Sequence, residues 1–438
     1  MSTTFDSLKY LNYRIWFFAA IVANTGTWMQ RVAQDWLVLR ILTNDSASAV
    51  GVTTALQFGP SLLLGPHAGL IADRVDTRKL LIATQTAMGL IAACLTVDVL
   101  AGHAQLWHVY LAALLSGAVA AYDSPARQIF VARMVPPSNL PNAVGLNAAS
   151  FNVARLVGPA AAGVVIAAYG PGWVFGVNAL TFAFPATAMA LMRTDRFYDV
   201  PRVKRAKGQV REGLAYVRHR SDIRVIIIII SLVSMVTLNY QVTMVAMVRS
   251  VFHLEAGAYG MISSVFAVGS LTGALVAARR KTPRVRTVII AAFGLGVASL
   301  LMAVMPSYWT FAIATVPVGF IVLTLLTSAN QTVQMSTDPD MRGRVMSLYM
   351  MCLLGVTPIG APGIGWVCDT WGPRWGLLLG ALTAIGVSAW AAIWARRHWN
   401  VHFAYSSSRP FITSYGPRER AQFTQLEIDH AEGSNADS

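Results

Sequence analysis

The residues best suited to chemistry in this sequence are charged or polar side chains that interrupt long apolar segments. Arg31 and Asp35 stand four residues apart, so they share one face of a helix, and Gln30 and Gln34 flank them. A charge within such a segment is costly and is kept where water, a partner or a ligand compensates it. Two interpretations follow: a self-contained ion pair, or a carboxyl group at Asp35 that takes up a proton while Arg31 modulates its proton affinity.

Arg155 lies near the middle of a different apolar segment, which holds no acidic residue at the same depth. One interpretation is a guanidinium that faces a water-filled pathway and binds a carboxylate, phenolate or phosphate group of a ligand. The other is a structural ion pair with an acid on another helix. In the first case we expect Arg155 to select anionic or zwitterionic ligands over cations.

Several uncharged polar residues in the apolar segments could also contact a ligand, although each could instead make a hydrogen bond between helices. They are Gln30, Gln34, Asn152, Asn239, Tyr240, Gln241 and Thr327. His67 is a further candidate for proton coupling, because an imidazole can gain and lose a proton near neutral pH. The three cysteines, Cys94, Cys352 and Cys368, have neither metal-binding nor redox spacing, so we expect no metal and no cofactor.

The segments that carry these residues dominate the chain. Of its 438 residues, 55% are hydrophobic and 12% charged, whereas soluble domains carry about 25% charged residues. Apolar stretches of ~20 residues recur, each long enough to cross a bilayer as a helix. The sequence therefore predicts an all-α membrane protein with twelve transmembrane helices, at 14–39, 48–70, 80–100, 106–126, 142–168, 173–193, 224–248, 257–278, 287–305, 309–331, 345–367 and 375–395.

An internal repeat divides the chain into two halves. Residues 163–181 and 365–383 align without a gap, and each copy contains a Gly-Pro-x-Trp turn and an Ala-Leu-Thr triplet. Six predicted spans separate the copies, so both face the same way across the bilayer, as in two parallel, pseudo-symmetric bundles. The predicted domains are a six-helix bundle at 1–193, a basic cytoplasmic linker at 194–223, a second six-helix bundle at 224–403 and a disordered cytoplasmic tail at 404–438.

The distribution of charge predicts the orientation of the chain. Lys and Arg total 34 and Asp and Glu 20, a net charge of +14. With the N-terminus inside, most of the basic residues fall on inward-facing segments, and those facing outward are Arg40, Arg249 and Arg374. This asymmetry places both termini in the cytoplasm of a cell-membrane protein. The basic character is then an orientation signal, and nucleic acid is not an expected partner.

The loop after the second segment has a recognisable pattern, carried by Gly69, Asp73, Arg74, Arg78 and Lys79. It resembles the loop between helices 2 and 3 of the major facilitator superfamily, except that Asp76 and Thr77 replace a usual glycine and a usual basic residue. The resemblance implies a cytoplasmic gate. There Asp73 accepts hydrogen bonds from the N-terminus of the eleventh helix, and the basic side chains pair with Asp123, near Arg127. The alternative is an ordinary basic loop that only sets the topology.

The fifth segment carries small residues and a proline at fixed spacing, namely Gly145, Ala154, Gly158, Pro159 and Gly163. The pattern resembles the antiporter signature of drug-exporting facilitators, with alanine at two glycine positions, and implies export. Small residues also let helices cross closely and proline kinks them, so the motif has a structural use as well. A narrower resemblance, to the drug and siderophore exporters of the enterobactin exporter and transmembrane secretion effector group, runs through residues 12–14, 26–37, 123–127 and 342–347.

Taken together, these patterns predict a secondary active exporter of small organic molecules that works by proton antiport and alternating access. The sequence has no G-x-x-x-x-G-K-[ST] loop for ATP, so an ion gradient is the expected energy source. Nor does it have a catalytic constellation, so an enzyme is not expected. The alternative is a proton-coupled importer of a small organic anion with the same fold. The expected partners are a small-molecule substrate, protons and the lipid bilayer, and the expected state is a monomer.

Overall fold

The computed structural model describes residues 3–192, 197–198, 209–278, 284–398, 403–405 and 412–414. These residues are almost entirely helical. Large apolar side chains cover the outside of the molecule, and Leu63, Leu191 and Ile313 are 80%, 74% and 69% exposed. Such a surface is suited to lipid rather than water, and the predicted all-α membrane architecture is confirmed.

Six long helices form the first bundle. They are α1 (Leu11–Trp36), which continues as a π-helix (Leu37–Leu42), α2 (Ala47–Arg74), α3 (Thr77–Leu100), α4 (Leu106–Arg133), α5 (Leu140–Tyr169) and α6 (Pro171–Leu191). Short 3₁₀ turns at Thr3–Lys9 and Pro137–Asn139 precede α1 and α5. Side-chain caps start two of the helices: Ser46 accepts a hydrogen bond from the backbone of Ala49, and Asp76 accepts from Arg78 and Lys79.

The second half begins with the short helix α7 (Gln209–His219), and eight helices follow. They are α8 (Ser221–Leu232), continued by a π-helix (Val233–Thr237), α9 (Tyr240–Ala246), continued by another (Met247–Val251), α10 (Ala256–Ala278), α11 (Val285–Ala303), α12 (Tyr308–Ser336), α13 (Arg342–Leu354), α14 (Thr357–Trp371) and α15 (Pro373–His398). The pair α8–α9 fills the seventh predicted span and the pair α13–α14 the eleventh, so both of these spans are interrupted helices.

Ten helical segments of the described chain are long and apolar enough to cross a membrane. The other two predicted spans are also helical, as α1 and α4, which are 26 and 28 residues long. Both have a lower mean hydropathy because each carries charged and amide side chains, among them Arg31 and Asp35 on α1 and Asp123 on α4. Each of the twelve predicted spans therefore coincides with one helix or with a pair of consecutive helices.

The two copies of the repeat form the same turn. Gly170 ends α5 with a φ of 87° and Gly372 ends α14 with a φ of 98°, and Pro171 and Pro373 begin the next helix. A left-handed φ of this kind strains any residue with a side chain, which explains the glycines. The proline that follows fits the first turn of a helix, where no backbone donor is needed.

Helices α1–α6 pack together as the first bundle and α8–α15 as the second. Successive helices alternate in direction, so their ends gather at two ends of the molecule. We call one the basic end, which carries the α2–α3 loop, α7 and the start of α13, and the other the opposite end, which carries residues 43–46, 101–105, 252–255 and 304–307. The bundles meet through α2 on α14 and α5 on α10.

The predicted linker and tail are described only in part. Of the linker 194–223, residues 194–196 and 199–208 lie outside the described residues, and the remainder includes α7. This helix packs on α13, where Glu212 pairs with Arg344 at 2.7 Å and Tyr216 donates a hydrogen bond to Asp338 at 2.9 Å. In the tail, Phe403–Tyr405 and Ile412–Ser414 form a short antiparallel strand pair, β1 and β2. The predicted disorder of 404–438 stays a prediction.

A cavity between the bundles as candidate functional site

A cavity of about 1490 Å³ lies between the two bundles. Helices α1, α2, α4 and α5 form most of its wall, and α13 closes one side. Its polar lining includes Asn24, Thr27, Gln30, Arg31, Gln57, Asn147, Asn152 and Asn178, and its apolar lining includes Phe58, Met88, Phe151, Phe182, Met350 and Met351. A large pocket with aromatic walls and a few polar groups is typical of a site for small organic molecules.

The cavity reaches the basic end and stops short of the opposite end. Its lining extends to Leu70, Arg127, Leu214 and Arg344, all near helix ends at the basic end. Beyond its blind end, one continuous apolar core joins the two bundles, whereas the first bundle has a separate core at the basic end. The structure is therefore open at the basic end and closed at the opposite end.

A carboxylate on α14 helps to close the opposite end. Asp369 accepts hydrogen bonds from the Ser46 hydroxyl at 3.0 Å, the Ala47 backbone N–H at 2.6 Å and the Ser48 backbone N–H at 2.9 Å. These donors form the N-terminus of α2, where the helix dipole favours a negative charge. Beside them, Arg249 of the second bundle donates to Asp45 of the first at 3.1 Å. Both contacts join the bundles across the cavity's closed side.

Small residues allow the bundles to touch along the closed side. On α10, a Cβ at Gly260 would lie 2.3 Å from the carbonyl oxygen of Pro159 on α5. A Cβ at Gly163 would lie 3.0 Å from the Cα of Gly257. The hydroxyl of Ser264 donates to the Leu156 carbonyl at 2.6 Å and accepts from the Ala160 N–H at 3.1 Å, so it is inserted into the backbone ladder of α5. Pro159 and Gly163 of the antiporter-like motif thus lie where α5 meets α10, whereas Gly158 faces Trp28 and Thr25 on α1.

Asp35 is buried at this junction, with a relative exposure of 6%. Its carboxylate accepts a hydrogen bond of 2.8 Å from the hydroxyl of Tyr259 on α10, so this acid of the first bundle is held by the second. Arg31 and Asp35 do not form the ion pair that their spacing allows; the described residues place Arg31 over the rings of Trp28 at 4.6 Å and Phe58 at 5.4 Å. Arg31 lines the cavity, and Asp35 lies one turn beyond its blind end.

The comparison with known families agrees with this architecture. The profile of the transmembrane secretion effector family matches residues 2–411, nearly the whole chain. The chain belongs to this family of major facilitator transporters. Its members are membrane transporters and not enzymes, and the resemblance inferred from the sequence motifs is confirmed.

Curated relatives cover most of the chain at low identity. The Staphyloferrin A transporter of Staphylococcus aureus is 24% identical over 82% of this chain and 90% of its own length. Macrolide efflux protein A of Streptococcus pyogenes is 21% identical over 87% of this chain and 93% of its own. Among solved structures, a POT family transporter in complex with a thioalcohol conjugated peptide superposes with a TM-score of 0.71 at 11% identity, covering 88% of this chain and 96% of that one. That similarity supports the fold alone.

Arg155 is not where the sequence analysis placed it. Its guanidinium lies over Trp28 at 5.5 Å and Phe266 at 5.4 Å, where α5 meets α1 and α10, and it does not line the cavity. The expectation that it faces a water-filled pathway does not hold in this conformation. The reason is that α5 directs Phe151 and Asn152 at the cavity, while its next turn enters the contact with α10.

The other predicted ligand contacts divide between cavity and helix interfaces. Gln30 and Asn152 line the cavity, and Gln30 accepts a hydrogen bond from Asn178 at 2.5 Å. The remainder, Gln34, Asn239, Tyr240, Gln241 and Thr327, do not line it. Tyr240 bonds Ser299 at 2.7 Å, and Asn239 donates to the Met235 carbonyl at 2.7 Å, where the helix breaks before α9. Tyr240 and Asn239 therefore make hydrogen bonds between or within helices, which is the alternative to contact with a ligand.

The predicted gate residues lie at the basic end. Asp123 accepts from Thr84 at 2.9 Å and Gln85 at 2.7 Å and pairs with Arg127 at 2.6 Å, rather than with the basic residues of the α2–α3 loop. In that loop, Arg78 donates to the Met189 carbonyl at 2.6 Å. Asp76, which departs from the family pattern, caps α3 with an ordinary φ of −60°, so this loop needs no glycine there.

The remaining predicted residues occupy the same end of the first bundle. Gly69 is buried in the last turns of α2, and Arg74 and Lys79 are exposed around the loop that follows. Asp73 lies between them, partly buried. The Nδ1 atom of His67 lies 2.9 Å from the Tyr122 hydroxyl on α4, outside the cavity.

Proposed function

We propose that this chain is a secondary active exporter of small organic molecules that works by proton antiport and alternating access. The observation that carries the proposal is the hydrogen bond from Tyr259 to the buried carboxylate of Asp35 across the closed side of the cavity. Asp35 is a titratable group that links the two bundles, so its protonation acts directly on one of the contacts that must break when the opposite end opens. The name of one curated relative, macrolide efflux protein A, supports export.

The proposed orientation places the basic end in the cytoplasm of a cell-membrane protein. The basic end carries most of the basic residues of the described chain, on the α2–α3 loop, the end of α4, α7, the start of α13 and the neighbouring helix ends. Basic loops stay on the cytoplasmic side of membranes. The cavity is then open to the cytoplasm, where an exporter must collect its substrate, and both termini lie on that side.

In the proposed cycle, the Tyr259 hydroxyl stabilises the inward-open state by donating to a charged Asp35. Hydrogen bonds to ionised acceptors are stronger than neutral ones, so the deprotonated carrier is held closed at the outside. Substrate binding in the cavity drives the change to the outward-open state, in which α1 and α10 separate and Asp35 meets external water. There it takes up a proton as substrate leaves. The protonated carrier returns inward and releases the proton, which restores the contact with Tyr259.

The test begins with growth of an efflux-deficient bacterial host against a panel of toxic compounds. The chain should raise the tolerated concentration of at least one compound, which becomes the transport substrate. In everted vesicles, an inside-acidic pH gradient should drive that compound inward, and a protonophore should abolish the accumulation. Accumulation that ignores the pH gradient would refute proton antiport, and accumulation in right-side-out vesicles energised in the physiological direction would indicate the alternative, import.

A further inference from the structure

Arg31 differs from the other charged residues that line the cavity. Near the mouth, Asp123 pairs with Arg127 at 2.6 Å and Arg344 pairs with Glu212 at 2.7 Å. Those charges are compensated within the protein. Within the described part of the chain, Arg31 forms no ion pair and no hydrogen bond, and its Nε atom is buried without a partner. The positive charge at the blind end of the cavity therefore has no direct ion-pair or hydrogen-bond partner among the described residues, and Asp35 acts on it only at a distance.

The surroundings of Arg31 hold the guanidinium without neutralising it. The Trp28 and Phe58 rings lie 4.6 Å and 5.4 Å from its central carbon, and aromatic faces stabilise a cation while leaving its N–H groups free to donate. Asp35, one turn away on the same helix, is engaged by Tyr259 instead. A guanidinium that has no direct acceptor inside a membrane span is costly, and a ligand can supply that acceptor.

The groups next to Arg31 describe the kind of molecule that fits. Asn24 and Gln57 also line the cavity and offer amide donors, whereas the Thr27 hydroxyl donates to the Ala23 carbonyl at 2.8 Å. The lining also includes the rings of Phe151 and Phe182 and the thioethers of Met350 and Met351. The site therefore combines one fixed cation with an aromatic and thioether surface wide enough for a bulky body.

We propose that Arg31 binds the anionic group of an amphiphilic organic acid, whose apolar body lies on the aromatic wall of the cavity. A planar guanidinium can donate two parallel hydrogen bonds to a carboxylate, which a point charge cannot do as well. This inference rests on the proposed function, because it assigns the substrate class of the transport cavity. It gives Arg31 the role that the sequence analysis gave to Arg155.

The test uses matched acids and amides on the full-length protein in nanodiscs, with no ion gradient. The pairs are 2-naphthoate and 2-naphthamide, 1-pyrenebutyrate and its amide, and dansylglycine and its amide, with empty nanodiscs to subtract binding to lipid. We expect at least one acid to bind about tenfold more tightly than its amide, as for a hydrogen bond to a charged group. Arg31→Gln should reduce this preference to less than about twofold, and Arg31→Lys should keep part of it.

Two matched variants separate this site from other cationic residues. Arg224→Gln removes an arginine that lies over Trp394, outside the cavity, and should keep the preference for acids. Arg155→Gln should also keep it, since Arg155 lies outside the cavity. Loss of the preference in Arg155→Gln but not in Arg31→Gln would overturn the assignment.

The proposal does not depend on the folding of one variant. If no acid binds wild-type protein more tightly than its amide, the anion site is refuted whatever Arg31→Gln does. Because binding is measured without a gradient, the result is independent of proton coupling. Acid-selective binding together with transport that is independent of the proton gradient would uphold the anion site and refute proton antiport. Proton-driven transport of neutral compounds alone would uphold proton antiport and refute the anion site.

Discussion

At the scale of single residues, Asp35 and Arg31 are separated by the partners that they contact. The two share a helical face, yet Asp35 contacts the second bundle through Tyr259 while Arg31 lies on the cavity wall. Protons and substrate would then act on neighbouring turns of α1, with the substrate in the cavity at Arg31 and the proton on the closed side at Asp35. Proximity of this kind allows coupling through the motion of a single helix, without overlap of the two sites.

Asp35→Asn should abolish gradient-driven export while leaving gradient-free substrate exchange largely intact. Asparagine can still accept a hydrogen bond from Tyr259 but can neither carry the charge nor exchange a proton. Uphill and exchange transport are measured in the same vesicles with the substrate found by the growth panel. Tyr259→Phe serves as the companion variant: it keeps the titratable acid, so export should persist with a weakened outer gate. Full uphill export by Asp35→Asn would remove Asp35 from the mechanism and redirect attention to Asp123 or His67.

The sequence alone located these residues but not all of their roles. The spacing of Arg31 and Asp35 and their place in an apolar segment marked them as functional candidates. What it could not supply was the rotation of each helix about its own axis, which decides that Arg31 and Asn152 line the cavity and Arg155 does not. Tyr259 was missed because a tyrosine in an apolar span is usually a packing residue. Its partner is 224 residues away, a pairing that helical periodicity along one segment does not encode.

At the scale of helices, the closed side depends on two crossings, α2 with α14 and α5 with α10. Asp369 falls in the repeated segment at the position where the first copy has Ala167. That departure from the repeat was a visible signal of a special role, and the structure explains it by the cap on α2. The sequence predicted one continuous span for α8 with α9 and one for α13 with α14. Hydropathy is averaged along the chain, so it does not reveal the breaks between these helices.

Asp369→Asn should shift the molecule toward the state that is open at the opposite end. The variant keeps a side chain of the same size but loses the charge at the N-terminus of α2, a loss of about 1 kcal/mol and hence roughly a fivefold change in the ratio of the two states. The measurement is the distance between spin labels at His103Cys and Ser307Cys, one on each bundle, after removal of the native cysteines. Asp98→Asn is the control, because Asp98 pairs with His108 within one bundle. An unchanged distance distribution in Asp369→Asn would contradict the role of Asp369 in closing the opposite end.

Gly260→Ala should separate α5 from α10. Its new methyl group would lie 2.3 Å from the Pro159 carbonyl oxygen, which belongs to rigid backbone, so the helices must move apart at a cost of about 1–3 kcal/mol. Gly257→Ala is the matched control, because the nearest heavy atom to its methyl group is 4.0 Å away. The same spin labels should report opening in the first variant and not in the second. Equal behaviour of the two would show that this crossing does not control the gate.

At the scale of the whole molecule, the fold was the most predictable feature. Hydropathy located the spans, because a helix that crosses the lipid bilayer needs about 20 apolar residues. The Gly-Pro turn of the repeat related the two bundles, because a left-handed backbone conformation requires glycine at the same place in both. The conformational state was not predictable. Inward-open and outward-open forms use the same helices and differ only in which contacts between bundles are made, and one sequence must stabilise both.

The most direct test of the central claim is the response of the opposite end to pH. Because protonation of Asp35 weakens the contact with Tyr259, acidification should increase the population with a long distance between the labels at His103Cys and Ser307Cys. In Asp35→Asn, which resembles the protonated acid, that population should be raised already at alkaline pH, and its response to acid should be smaller than in wild type. The response that remains belongs to Asp369 and Asp45, whose carboxylates also join the bundles. A pH response of the same size in wild type and Asp35→Asn would contradict the account, since the gate would then be controlled by another group.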